Sequence, residues 1–548
     1  MDGTEAGSGG TARAAPTGPT ESDEPDGSSD DRERLPIGVT LVAAAIAAAV
    51  VAPLLWLVST ALGLGLETLV AQLTAPQSLE IAANSAVMVT LVTAGSVLIG
   101  VPMAYLTART DVPFRRALTV GIALPLVIPS YIGAFAAVSM FGPRGEIQSL
   151  LEPWGVESLP EIYGLAGTVV VLTLYTYPYV FLTTRAALLT LDDRLVDAAR
   201  TLNHSRLAAI RRVVLPQIQP AIAAGALLVA LYALSDFGTP AIMRFDVYTR
   251  VIYTRRFDLE FASMLSLQLL TVTLLILALE SRLRGDEVAS GGRTRSKRVP
   301  LGRLRWPAVG LCASVIAVAV GLPILILVLW LLRSTATGDA GGSLLEVVWN
   351  SVLVSTAAAA VAAVACLPIA YLAAYHRGRI VDALERATYL GYAAPGVVLG
   401  LALVFVGSRF LTPIYQQLPL LIFAYVVRFL PQAVGTSRAG FLGIDPQLPA
   451  AARTFGRSPV GAFRSVTLPL IAPGLLAGAA LVFLTTMKEL PVTLLLRPSG
   501  FETLVTRIWQ AEEAGYFGEA AIPALVLVFV SGLSILFILS QEGYDGGS

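Results

Sequence analysis

The stretch NSAVMVTLVTAGSVLIGVPMAYLTA, Asn84 to Ala108, returns later in the chain as NSVLVSTAAAAVAAVACLPIAYLAA, Asn350 to Ala374. Each copy is a nearly unbroken apolar run, long enough as a helix to cross a hydrocarbon layer of ~30 Å. Asn84, Ser85, Pro102, Ala104 and Tyr105 find Asn350, Ser351, Pro368, Ala370 and Tyr371 at a constant offset of 266, and Pro129 finds Pro395 at the same offset. Shared greasiness does not keep prolines and polar residues in register over such distances. The chain is a tandem duplication of a membrane-spanning unit.

A second repeated stretch is polar. VDAARTLNHSRLAAIRRVVLPQIQP (Val196–Pro220) returns as PAAARTFGRSPVGAFRSVTLPLIAP (Pro449–Pro473). Ala198, Arg200, Thr201, Leu215, Pro216 and Pro220 match Ala451, Arg453, Thr454, Leu468, Pro469 and Pro473. The offset here is 253, so the first half carries the longer loop, around 142–161.

Composition agrees with a membrane protein. The 548 residues are 55% hydrophobic and 14% charged, against about 25% charged in soluble domains. Net charge is zero, which gives no global basic signal for nucleic acid. Cys312 and Cys366 lie in separate apolar runs and offer neither a disulfide framework nor a thiolate metal site. His204 and His376 stand alone in different polar loops.

Apolar periodicity predicts twelve spans: 37–62, 82–107, 117–141, 162–185, 217–236, 262–280, 307–332, 346–374, 387–409, 418–437, 470–487 and 519–540. Residues 1–36 are acidic and rich in Gly, Ser, Pro and Thr, and read as a disordered tail. The first repeat is 37–280, a basic cytoplasmic linker is 281–306, the second repeat is 307–541, and 542–548 is a short tail. With the N-terminus inside, the inner segments hold 26 Arg and Lys against 9 in the outer loops. The positive-inside bias therefore predicts that both termini and both arginine-rich loops are cytoplasmic. Six spans per unit keep the two halves in the same orientation, related by a pseudo-two-fold along the membrane normal.

Each polar loop reads as helix, break, helix. Asn203 supplies the break in the first copy and Ser205 an N-cap. In the second, Gly456 supplies the break, and Ser458-Pro459 an N-cap followed by Pro at N1. An amphipathic hairpin resting on anionic headgroups is the plain reading. Recurrence at equivalent places favours a shaped docking element.

At this point the loops resemble the EAA loop of ABC importer permeases, in which Glu-Ala-Ala, three residues and Gly precede an apolar-Leu-Pro. In that family the loop is the coupling helix that docks into the ATPase subunit. The resemblance places Asp197, Ala198, Ala199, Arg200, Thr201 and Asn203 in one coupling loop. It places Ala450, Ala451, Ala452, Arg453, Thr454 and Gly456 in the other. The first copy keeps an acid but has Asn203 for Gly. The second keeps the Gly but has Ala450 for the acid. ALSDFGTPAIM (Ala233–Met243) and TMKELPVTLLLRPSGFETLVTRIW (Thr486–Trp509) narrow the likeness to the ferric-iron branch, where fused two-domain permeases also occur. Related branches carry thiamine, polyamines, sulfate or phosphonates.

The resemblance implies the all-α, type I importer permease fold, two copies of an ABC ATPase subunit and an extracytoplasmic substrate-binding protein as partners, and a cell-membrane location. No P-loop is present: the only lysines, Lys297 and Lys488, do not follow a glycine. The chain is expected to be a transporter subunit, not an enzyme, with no cofactor or metal of its own and ATP used by its partners.

Asp236 and Glu489 occupy equivalent places after the fifth span of each half, with Lys488 beside the second. Intramembrane acids often mark a substrate path. The alternative is that they cap a helix break or pair with Lys488 or Arg244. Tyr175, Tyr177 and Tyr179 could present phenol oxygens to such a path, but at alternating spacing they do not all share a helix face, and interfacial aromatics are the commoner use. An ion-coupled secondary transporter, the rival class, would carry ionisable residues at mid-span and no paired docking loops. A passive channel or scaffold would work without ATP.

Overall fold

A computed structural model describes residues 35–63, 65–142, 145–156, 161–191, 201, 210–285, 299–333 and 344–542. Helix is the regular structure of the described residues, apart from one isolated bridge between Thr110 and Val299. The first half contains α1 (Ile37–Gly63), α2 (Pro76–Arg109), α3 (Arg115–Ala123), α4 (Ser130–Phe141) and α5 (Leu165–Thr190). It continues with α6 (Leu215–Ser235), α7 (Gly238–Ile242), α8 (Tyr248–Thr254) and α9 (Leu259–Gly285). The second half repeats this order. It runs α10 (Gly302–Arg333), α11 (Leu344–Tyr375), α12 (Arg379–Ala393), α13 (Gly396–Phe410) and α14 (Leu418–Leu442). The second polar loop holds α15 (Gln447–Thr454) and α16 (Pro459–Ala462). After it come α17 (Leu468–Met487), α18 (Pro491–Leu496), α19 (Leu504–Glu513) and α20 (Phe517–Glu542).

Among the described residues nine helices are long and apolar enough to cross a membrane. Two of the expected spans, 117–141 and 387–409, are not continuous helices. Each is broken at a matched proline into a bent pair, α3 with α4 and α12 with α13, the second bent by 101°. Proline forces the residue before it out of the helical region. Ile128 (ψ 122) and Ala394 (ψ 125) are accordingly extended, and Pro129 and Pro395 (ψ 137 and 143) start the new helices. Hydropathy runs through the break without a change, which is why the sequence reads as one span there.

Duplication extends to packing. A Cβ at Gly225 would lie 2.8 Å from the Cα of Val180, and one at Gly478 would lie 2.9 Å from the Cα of Ala433. Both glycines let the helix of their half's fifth span press against that of the fourth, the small-residue contact that membrane helices use in place of hydrophobic drive. The repeated Asn-Ser pair also has a structural job. Asn84 and Asn350 donate to the carbonyls of Asp246 and Glu502 at 3.1 and 3.0 Å. Ser85 and Ser351 accept the first N–H groups of α8 and α19 at 3.1 and 2.7 Å. The motif thus anchors the same short helix in both halves.

First spans reach across to the other half. Helix α1 packs on α11, α12 and α13 of the second half as well as on α9 of its own, and α10 packs on α3 and α4 of the first as well as on α20 of its own. After α9 the chain rejoins the first half before entering α10. Val299 donates to the Arg109 carbonyl at 2.8 Å and Leu301 to Asp111 at 2.7 Å, with Arg305 3.6 Å from the same carboxylate.

Candidate functional site

The polar loop of the second half is a defined shape. Helix α15 ends at Thr454, and Gly456 turns the chain with φ +83, a conformation that costs glycine little. Ser458 accepts the Gly461 N–H at 3.1 Å and Pro459 takes the first helical position of α16. A wider turn, Phe463–Thr467, then leads into α17. The N-cap and break expected from the sequence are both present. Ala450, Ala451, Arg453, Thr454 and Gly456 are exposed and Ala452 is half-buried. At the tip Phe455 is 87% exposed and Val460 68%, a surface of the kind that a partner covers. In the first copy Thr201 is helical and exposed, whereas Asp197, Ala198, Ala199, Arg200 and Asn203 lie outside the described residues.

Between the halves the two helix breaks meet the two acids. Helix α4 packs with Met487, Leu490, Leu504 and Trp509 of the second half, and α13 packs with Leu234, Tyr248 and Ile252 of the first. Asp236 follows α6. It accepts the Ser130 hydroxyl at 2.6 Å and the Thr239 N–H at 3.0 Å. It therefore caps α7 and ties it to the start of α4. Glu489 does the equivalent work after α17. It accepts the Val492 N–H at 3.4 Å and pairs with Arg428 at 3.2 Å. Arg428 also donates to the carbonyl of Ala394, the extended residue before Pro395, at 3.0 Å. One half thus joins its break to its acid through a hydroxyl and the other through a guanidinium. Gly396 stands where the first half has Ser130, because a Cβ there would collide with the Glu489 carboxylate.

The expected acid pairings are therefore replaced. Glu489 is bound by Arg428, not Lys488, and Asp236 by Ser130, not Arg244. Lys488 crosses the interface and donates to the Leu126 carbonyl at 3.4 Å, just before the first break. Arg428 is the functional residue that the periodicity reading passed over. A lone arginine in the middle of LIFAYVVRFLPQ is the signal that could have found it. The tyrosine reading also changes. Tyr175 and Tyr177 are buried (4% and 0% exposed) rather than interfacial, and Tyr179 stacks on Tyr232 with centroids 5.9 Å apart.

Outside the spans, α19 brings Glu512 near Arg244 of the first half. Burial first, and then the neighbouring Glu513 carboxylate, push Glu512 up to about 7, against the pull of Arg244. The arrangement as a whole is a pair of hinges, each held by a polar clasp at the interface of two similar bundles.

The family profile described as "Binding-protein-dependent transport system inner membrane component" matches twice, at residues 96–283 and 366–543. A protein of Haemophilus influenzae named Fe(3+)-transport system permease protein FbpB 2 is 30% identical over 93% of this chain and 99% of its own length. A probable ABC transporter permease, y4fN, of Sinorhizobium fredii is 26% identical over 79% of this chain and 81% of its own. The ferric transport system permease protein FbpB of Actinobacillus pleuropneumoniae is 24% identical over 76% and 64% respectively.

Proposed function

Because this chain belongs to the binding-protein-dependent transport system inner membrane component family, with the family's unit present twice, we propose that it is the fused permease of an importer for ferric iron. The observation that carries the iron reading is the Haemophilus influenzae ferric permease, similar from one end to the other of both chains. The mechanism follows from the parts described. An extracytoplasmic binding protein delivers its cargo to the outer loops. Two ATPase subunits, one at each polar loop on the cytoplasmic side, close on ATP and push on both loops. In the second half the push passes from α15 and α16 through the turn Phe463–Thr467 into α17, which ends at Met487, just before Lys488 and Glu489. Asp236, Lys488 and Glu489 line or gate the path between the halves, because they sit where both broken spans meet.

This chain holds no ATPase site of its own and no resident cofactor, and ATP is consumed by the partners. Both termini are cytoplasmic in this scheme, as the basic inner segments require. The loops are unequal. Asp197 offers one ATPase subunit a carboxylate that Ala450 does not offer the other, while Phe455 and Val460 give the second contact an apolar tip.

The test is uptake of radiolabelled ferric iron in cells that depend on this permease, together with metal analysis of the binding protein that stimulates it. Iron on the binding protein and iron uptake support the reading. An organic ligand or an oxyanion in place of the metal would reject it.

A further inference from the structure

The two clasps do the same mechanical work with very different chemistry. At Asp236 the first half places the hydroxyl of Ser130, to which the Tyr232 phenol donates at 3.3 Å, and Thr239, with Tyr131 next to Ser130 in the chain. The equivalent positions of the second half are Gly396, Val397, Thr485 and Val492. Capping a short helix and tying it to a break does not need these oxygens, since Glu489 and Arg428 manage without them. One of the phenols is also unused. Tyr131 is 5% exposed, and its phenol oxygen has no hydrogen-bond partner among the described residues. The buried Thr239 hydroxyl, by contrast, faces the Asp236 carboxylate. Tyr131 lies within electrostatic reach of Tyr232, Glu489 and Asp236. Its ring is seated by Gly238, where a Cβ would fall 2.5 Å from the Tyr131 Cβ. Glu489 has its arginine, whereas no ion pair reaches Asp236 among the described residues.

Buried polar atoms without partners are costly and call for an explanation. A carboxylate without an ion pair, beside hydroxyl and phenol side chains and no imidazole or thiol, is a hard-ligand set. We propose that this cluster is a transit site for a hard trivalent cation, with the Asp236 carboxylate and the Tyr131 phenol oxygen as its principal ligands and Ser130, Tyr232 and Thr239 completing it. On coordination the phenol proton leaves to water, so the site presents two negative charges. A phenol gives up its proton readily only to a strongly polarising cation, which selects trivalent over divalent metals. The inference rests on the ferric reading and refines it: the passage is asymmetric, and the first half alone holds the cargo on its way through.

The test uses the full chain reconstituted with its ATPase subunits, with ferric citrate and gallium citrate as probes. Tyr131→Phe keeps the ring and its packing on Gly238. It is expected to lower the initial rate of iron uptake by on the order of tenfold, as loss of a ligand does. Wild type with ferric citrate should show a visible phenolate-to-iron charge-transfer band. Tyr131→Phe should lose that band, and Tyr175→Phe, a buried tyrosine outside the cluster, should keep it. Gallium should compete with iron and manganese should not. If wild type transports iron and Tyr131→Phe matches it in uptake and in spectrum, the site is wrong and the importer reading stands. If wild type transports no iron at all, the ferric reading falls and the site with it.

Discussion

Replacing Arg428 by methionine leaves the Glu489 carboxylate buried without its counter-charge. The pair is 3.2 Å apart, with side chains 15% and 8% exposed. At an effective dielectric of about 20, unit charges at that distance attract by roughly 5 kcal/mol. Cutting one member of a buried pair usually costs about 3–5 kcal/mol, because the survivor stays desolvated. The lost hydrogen bond to the Ala394 carbonyl adds about 1 kcal/mol. For a unit the size of one repeat, each kcal/mol moves the melting midpoint by roughly 2 °C, so Arg428→Met should lower it by about 8–12 °C. The assay is thermal unfolding of the purified protein in detergent, monitored by monodispersity. Arg428→Met/Glu489→Leu removes both charges and should recover at least half of the loss. A single variant that melts within about 2 °C of wild type would refute the reasoning. So would a double variant whose loss equals the sum of the two single losses.

Gly396→Ala puts a methyl group into the Glu489 carboxylate and should cost about 1–3 kcal/mol as overpacking, seen as a lower melting midpoint. Gly400→Ala, at a looser contact on the same helix, should do less. Ser458→Ala removes the N-cap of α16 and should weaken that turn by about 1 kcal/mol. Hydrogen exchange at residues 459–463 should speed up, and less ATPase should co-purify. Glu512 has a folded value of about 7, above its ordinary 4.5. The stability it contributes is therefore full below about 4.5 and is lost as pH rises through about 7. Thermal scans of wild type from about pH 5 to 8 should show that decline, and Glu512→Gln should flatten it.

The repeat, most of its spans and its two polar loops were legible because duplication writes the same physical requirement twice. Ser458-Pro459 and Gly456 announced a cap and a turn, and both are there. Pro129 and Pro395 were visible as a matched pair, but their effect was not. An 18-residue hydropathy average cannot register one missing N–H, and both sides of the break are equally apolar. Arg428 was lost to the same averaging. Asp236 and Glu489 were recognised as equivalent, yet their partners come from residues 106 and 61 positions away, beyond any local pattern. Tyr175 and Tyr177 misled because a tyrosine near a span end is ordinarily interfacial, and only the packed bundle reveals that these rings are inside it.

Reconstitution in proteoliposomes with the ATPase subunits and the binding protein tests the central claim most directly. The account predicts accumulation of ferric iron that requires ATP and is abolished by Arg200→Glu/Arg453→Glu, together with loss of the co-purifying ATPase, while membrane insertion is unchanged. Iron accumulation without ATP, or undiminished transport and ATPase binding in the doubly changed protein, would contradict it.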